Sequence, residues 1–367
     1  MLDNTLPNLF SPYTLLSGVE LKNRVVMAPM TRGRAGNAGL VPTDLHVQYY
    51  RQRAAAGLLI TEATWVSPDG IGFINVPGIY SNEQVEGWKK VTDAVHADGG
   101  RIYLQIAHSG GGSHPYFFDG QPPLAPSAVN PGLKAFTPEG FKDTVTPREM
   151  TLDQIKSTIA DYAKAVRNAK AAGFDGVELH SATTYLLPQF LNSRLNVRTD
   201  TYGGNAENRS RIVIEILQAM LAEWSQGRVG VKLSPTMALG GFGPTDQTVA
   251  TYEYLASRLN ELPLSHVQMV QAPNDLTGTP IAVLQDTIAH FRPLLKGTLI
   301  ANSGFDKTKA DATLAAKQAD LISFGSSFIA NPDLVRRMRE GIELNQPNRD
   351  LFYQGGAEGY TDYPLAP

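Results

Sequence analysis

With 367 residues, 42% of them hydrophobic and 18% charged, the chain holds enough apolar material for one large or two medium-sized globular domains. A net charge of -3, with no basic block or basic–aromatic stripe, argues against a nucleic acid as partner. The lack of cysteine excludes disulfides and thiolate chemistry, and the seven histidines show no pair at metal-ligand spacing, so no metal is expected.

In chain order, Met1 to Thr5 has neither a basic nor an apolar region, and no run approaches the length of a membrane span. A cytoplasmic location without a membrane partner is the expectation. Short β-branched runs then alternate with amphipathic helices, the pattern of a parallel α/β fold. The first strand, Arg24–Met27, exits through Ala28-Pro29-Met30-Thr31-Arg32, and the second, Leu58–Thr61, through Glu62-Ala63-Thr64. A helix follows Ser81, with Gln84 three residues on and Val85, Trp88, Val91 and Val95 facing inward. The third strand, Arg101–Ile106, runs into Ala107 and His108. Residues 108–148 are rich in Pro, Gly and Phe, show no helical period, and are too long for an ordinary connection. They are expected to form a capping subdomain or lid over the barrel mouth.

Thr151 and Gln154 form a capping box that opens the next helix, with Leu152, Ile155, Ile159, Tyr162 and Val166 on one face and a stop at Gly173. The strand Gly176–His180 follows, then a helix over roughly Asn208 to Trp224. The remaining strands are Val229–Leu233, His266–Val270, Thr298–Ala301 and Leu321–Phe324. Eight strands in this alternation, with no shift of composition, predict a single (β/α)8 TIM barrel over residues 1–367.

The densest chemistry lies in residues 178–209. His180 ends an apolar strand, and Thr183 and Tyr185 follow on the same loop. A lone histidine there also has a structural reading, as a side chain bonded to backbone. Three polar groups just past the C-terminal end of a barrel strand favour function. Gln105 sits at an inward strand position, where burial is costly without a partner, and a bound heterocycle or a protein group would each meet that need. Asn302-Ser303-Gly304 and Phe324-Gly325-Ser326 stand after the last two strands, where barrels commonly hold a phosphate. No glycine-rich nucleotide motif opens a helix, so a nicotinamide would have no domain of its own.

On His180-Ser181-Ala182-Thr183-Thr184-Tyr185, on Tyr202-Gly203-Gly204-Asn205-Ala206-Glu207-Asn208-Arg209 and on the segment from Asp350 to Pro364, the chain resembles the old yellow enzyme family of FMN-dependent ene reductases. The resemblance covers essentially the whole chain. It implies FMN as cofactor, NADPH or NADH as reductant, and as substrate a small-molecule alkene activated by a carbonyl or nitro group. It puts Pro29, Met30 and Thr31 beneath the flavin, the Ala63 backbone and Gln105 on its ring, and Lys232 near N1/O2. Ser303, Gly304, Gly325 and Ser326 would surround the phosphate, and Tyr353 the dimethylbenzene edge. In the implied reaction hydride passes through flavin N5 to the β-carbon and Tyr185 protonates the α-carbon. His180 and Thr183 would hold the electron-withdrawing oxygen.

Four positions depart from the family pattern. Thr183 stands for His or Asn, and because a threonine hydroxyl favours a nearby backbone carbonyl, a weaker or displaced second donor is expected. Ala107 stands where many relatives carry Trp, which implies a roomier pocket. Lys232 replaces Arg, keeping the charge and losing the planar fork. Ser326 replaces the Arg that grips the FMN phosphate, a loss worth roughly 1.5–3 kcal/mol, or one to two decades in affinity. These changes leave two rival readings: an acid–base isomerase or lyase built on Tyr185 and His180 with weakened or lost FMN, and a non-catalytic ligand-binding barrel. Nothing in the sequence selects NADPH over NADH or sets an oligomeric state.

Overall fold

The computed structural model describes residues 6–224 and 227–367, so the reading of Met1 to Thr5 lies outside the described residues. All eight expected barrel strands form: β1 (Val25–Met27), β2 (Leu58–Ile60), β3 (Ile102–Ala107), β4 (Gly176–Ser181), β5 (Val229–Leu233), β6 (Val267–Val270), β7 (Leu299–Asn302) and β8 (Leu321–Phe324). Each pairs in parallel with the next, and β8 pairs back to β1, which closes the barrel. The expected ends were off by a residue in several strands. Ile102, for example, opens β3 because its N–H is taken by the Asp175 carboxylate at 2.9 Å.

The closure follows from alternation. Side chains one residue apart on a strand face opposite ways. Val25, Met27, Leu59, Leu104, Ile106, Val177, Leu179, Val231 and Met269 join the large core against the helices. The interleaved Val26, Leu58, Ile60, Tyr103, Ile300 and Leu321 fill the barrel's N-terminal end, where a hairpin (Tyr13–Thr14 with Glu20–Leu21) seals it with Leu15, Val19 and Leu21. Further along, the inward positions turn polar: Gln105, Glu178, His180, Lys232, Gln268, Asn302 and Ser323. Polar groups are therefore massed toward the C-terminal mouth.

Ten helices are described: α1 (Asp44–Arg51), α2 (Asn82–Ala97), α3 (Leu152–Ala171), α4 (Leu186–Leu191), α5 (Ala206–Glu223), α6 (Thr248–Leu259), α7 (Thr287–Phe291), α8 (Lys307–Ala315), α9 (Ser326–Ala330) and α10 (Leu334–Glu340). Both expected capping boxes are present, Ser81 with Gln84 on α2 and Thr151 with Gln154 on α3. Two details differ. The helix expected from Asn208 begins at Ala206, because Asn205 caps it by accepting the Asn208 N–H at 2.9 Å. Leu152, placed by its spacing on the buried face of α3, is 46% exposed, since it is the first helical residue and overhangs the barrel-facing stripe.

The excursion over residues 108–148 holds short regular pieces. Leu124–Ala125 pairs in parallel with Arg148–Glu149, and Lys134–Thr137 and Gly140–Asp143 form an antiparallel hairpin. Phe136 of that hairpin stacks on Phe141 at 4.6 Å and meets Phe73 at 5.1 Å, and Phe73 in turn meets Tyr353 at 5.4 Å. No helix among the described residues is long and apolar enough to cross a membrane.

Candidate active site

Inside the barrel, Glu178 organises the polar interior. It lies opposite Gln105 in the β3–β4 register and accepts the Gln105 amide N–H on Oε1 at 2.8 Å. Its Oε2 lies 2.9 Å from His266 Nε2. His266 reaches it across β5, which is possible because the crossing point is Gly230. A Cβ there would stand 2.2 Å from the imidazole. Gln105 thus has a protein partner at its amide end, while its Oε1 has none among the described residues. One step toward the mouth, His180 and Lys232 face each other in register.

Lys232 is 8% exposed and makes no hydrogen bond or ion pair among the described residues. Burial pulls its ammonium below the usual lysine range and Glu178 partly restores it. His180 is buried as well. Its Nδ1 accepts the Ala182 N–H at 3.2 Å, so the ring proton of a neutral imidazole is on Nε2. Burial, assisted by the Lys232 charge, brings its pKa down to about 3. The Tyr185 ring lies 4.7 Å from that of His180, and burial, with the Tyr353 hydroxyl contributing, pushes its phenol up to about 12. His180 and Tyr185 therefore form an adjacent pair of neutral hydrogen-bond donors throughout the ordinary pH range.

Thr183 is in an unusual state. Its φ is +60°, a left-handed conformation that β-branched residues rarely adopt. Its N–H is donated to Ser234 Oγ at 2.7 Å and its hydroxyl to the Ala182 carbonyl at 2.6 Å.

A cavity of about 270 Å³ lies across the last two strands, lined by Ala28, Pro29, Met30, Lys232, Asn302, Ser303, Gly304, Phe305, Ser323, Phe324, Gly325, Ser326 and Ser327. It brings together seven of the expected contact positions, no carboxylate among its lining. Asn302 donates to Ser323 Oγ at 2.6 Å beside it, and Gln268 does so at 3.3 Å, leaving Gln268 Oε1 buried without a partner.

The other expected positions are not among the lining of this cavity. Thr31 is partly buried at the exit of β1, with no hydrogen bond to its hydroxyl among the described residues. Ala63 is buried with Trp65, Val76 and Ala107 in a small apolar cluster against which Tyr185 packs. Tyr353, 43% exposed, is seated on Gly33, where a Cβ would come within 2.8 Å of its carbonyl. Ala107 is wholly buried, and its register partner Trp65, also buried, has its ring 6.1 Å from that of Tyr185.

The profile of the NADH:flavin oxidoreductase / NADH oxidase family matches residues 8–345. The chain belongs to this family, the old yellow enzymes. A flavin oxidoreductase, hxnT, of Emericella nidulans is 41% identical, with 98% of each chain covered. The 12-oxophytodienoate reductase 1 of Oryza sativa subsp. japonica is 40% identical over 97% of this chain and 93% of its own. Among solved structures, morphinone reductase superposes with a TM-score of 0.92 at 41% identity, covering 99% of this chain and 98% of that one. The old yellow enzyme homologue from Zymomonas mobilis reaches 0.91 at 37% identity, covering 98% and 100%.

As an old yellow enzyme, the chain is an FMN-dependent oxidoreductase reduced by a nicotinamide. The cavity fits that cofactor on its own chemistry. A phosphorylated heterocycle needs a cation, polar hydrogens and acceptors without a competing carboxylate. Lys232, Asn302, the hydroxyls of Ser303, Ser323, Ser326 and Ser327 and the backbone at Gly304 and Gly325 supply these.

Sequence reasoning missed the Glu178–His266 pair, although parity marks it: Glu178 is two residues before His180 and shares its inward face. It missed, too, the buried cluster of Arg32, Arg34, Arg53, Glu62, Tyr49 and Tyr360 beneath the C-terminal segment. Arg32 donates to the Phe352 and Gly359 carbonyls at 3.0 and 2.7 Å, and Arg34 to that of Leu351 at 2.8 Å. Arg209 is buried and donates to the Leu191 carbonyl at 3.1 Å and to Thr251 Oγ1 at 2.6 Å.

Proposed function

We propose that this enzyme reduces alkenes conjugated to a carbonyl or nitro group, with His180 polarising the electron-withdrawing oxygen and Tyr185 protonating the α-carbon. The observation that carries the reading is the pairing of the His180 Nε2–H donor with the Tyr185 phenol, rings 4.7 Å apart, at the polar mouth. FMN, when bound, supplies hydride from the reduced nicotinamide to the β-carbon. The neutral imidazole donates to the oxygen as it gains charge, which is worth more in a dry site than in water. The phenol, kept protonated, delivers its proton to a carbon of comparable basicity.

Two relatives are named as reductases of 12-oxophytodienoate and of morphinone, names that denote ketones, and this supports a carbonyl-bearing substrate. The single domain spans residues 1–367 in this reading, located in the cytoplasm, with residues 108–148 as its cap. The chain of rings from Phe136 through Phe73 to Tyr353 supports the cap's place. Under anaerobic conditions NADPH or NADH should bleach the flavin of the FMN-loaded protein, and a simple cyclic enone should restore its colour once per flavin. A reduced flavin that no enone or nitroalkene re-oxidises would defeat the proposal.

Thr183 contributes little to the oxygen in this scheme, because its hydroxyl is already given to Ala182. Thr183→Asn should add an amide donor and relieve the left-handed strain, since Asn tolerates that conformation. A stability gain of about 1 kcal/mol is expected, together with a lower KM for the enone. Melting temperature and steady-state kinetics read the two effects separately.

A further inference from the structure

A second cavity, of about 220 Å³, abuts the first. It is lined by Ser326, Ser327, Asn331, Leu344, Asn345, Gln346, Pro347, Arg349 and Phe352, so the two cavities share Ser326 and Ser327. Ser326 is the position where the family pattern places the phosphate-gripping Arg. The short serine leaves room behind it, and another guanidinium lines that room.

Arg349 differs from the other arginines of this region. Arg32, Arg34, Arg53 and Arg337 are each bonded to backbone carbonyls. The Arg349 side chain makes no hydrogen bond and no ion pair among the described residues. Its backbone is nevertheless anchored. Asn348 caps the short turn Arg349–Leu351 by accepting the Asp350 N–H at 3.1 Å, and the Asn348 N–H is donated to Tyr363 Oη at 2.9 Å. Arg32 and Arg34 hold the carbonyls just beyond it. No Asp or Glu lines either cavity. A free cation thus stands on a fixed turn beside a cavity that lacks a counter-charge.

We propose that Arg349, delivered by the C-terminal segment, supplies the phosphate-holding cation that position 326 no longer provides. This rests on FMN occupying the cavity at Lys232. Guanidinium suits a phosphomonoester because its planar fork donates two parallel hydrogen bonds. Lys309 is a rival cation, but its Nζ already donates to the Gly304 carbonyl at 3.2 Å and lies over the Phe305 ring.

The test is titration of the full-length apoprotein with FMN and with riboflavin, which lacks the phosphate, followed by quenching of flavin fluorescence. Wild type should bind FMN more tightly than riboflavin. Arg349→Ala should weaken FMN about ten- to a hundredfold, the worth of one charge-assisted hydrogen-bonded contact. Riboflavin binding should not change, and the salt dependence of FMN binding should flatten. Adding Ser326→Arg to Arg349→Ala should restore the preference for FMN. Equal losses for both flavins would mean that the variant disturbs the segment and not the phosphate contact, and would overturn the proposal. So would an unchanged FMN affinity, or loss of the preference in Lys309→Ala instead. Wild type that binds riboflavin and FMN equally overturns it too, whereas wild type that binds neither removes the FMN reading itself.

Discussion

Tyr185→Phe should slow enone reduction by about 10²–10⁴-fold, the usual contribution of a positioned general acid, while NADPH continues to reduce the bound flavin at the wild-type rate. The two half-reactions separate in stopped-flow measurements, and a loss confined to the enone step identifies a missing proton. The structure also sets the pH behaviour. Burial holds His180 neutral down to about 3 and the Tyr185 phenol protonated up to about 12, so neither group titrates near neutrality. The enone step should be flat with pH across the stable range of the protein. His180→Ala should raise KM and lower kcat together, since its hydrogen bond serves both the bound oxygen and the charge that develops on it. If the tyrosine and histidine act on one substrate as a unit, the double variant will lose much less than the product of the single losses. Wild-type enone reduction by Tyr185→Phe would remove the phenol from the chemistry.

The barrel was legible because its signal is local. Eight apolar runs, alternating with helices of which two carry legible capping boxes, announce themselves within windows of a dozen residues. The His180–Tyr185 pair was legible for the same reason, since both groups lie on one loop. What escaped depends on strand pairing or distant contacts. Glu178 and His266 look like stray polar residues in apolar strands until the register brings β4, β5 and β6 together and Gly230 opens the crossing. Ala107 reads as a lost indole, and only the pairing of its strand with Thr64–Trp65 shows that another indole stands beside it in the register. The strand pieces of the excursion are only two to four residues long and too irregular to carry a period. Thr183 is intermediate: the preference of its hydroxyl for a neighbouring carbonyl was deducible, its left-handed backbone was not.

Arg32→Ala should be among the most damaging substitutions outside the site, at about 3–5 kcal/mol, the usual result of removing one partner from a buried charged network. The guanidinium is wholly buried. It lies 5.4 and 5.2 Å from the Tyr49 and Tyr360 rings, which stack on each other at 4.1 Å, and its backbone N–H is donated to Glu62 Oε2 at 3.1 Å. Arg32→Lys should recover only part of the loss, because an ammonium cannot span the Phe352 and Gly359 carbonyls as the fork does. Melting temperature reports the global effect, and hydrogen exchange across residues 349–360 should show that segment loosening first. Glu62 gives the network a pH signature. Burial raises its pKa from 4.5 to about 7, against the opposing pull of the Arg32 and Gly33 N–H groups and the two guanidinium charges. A carboxyl whose folded pKa lies above its unfolded one contributes stability that is complete below about 4.5 and is lost as pH rises through about 7. The melting temperature should therefore decline between those values in the wild type, and Glu62→Gln should flatten the decline. Arg32→Ala should carry it to higher pH, since the charge that favours the carboxylate is gone. A decline unchanged in Glu62→Gln would assign the titration to another group and leave Arg32 a purely mechanical clamp on the C-terminal segment.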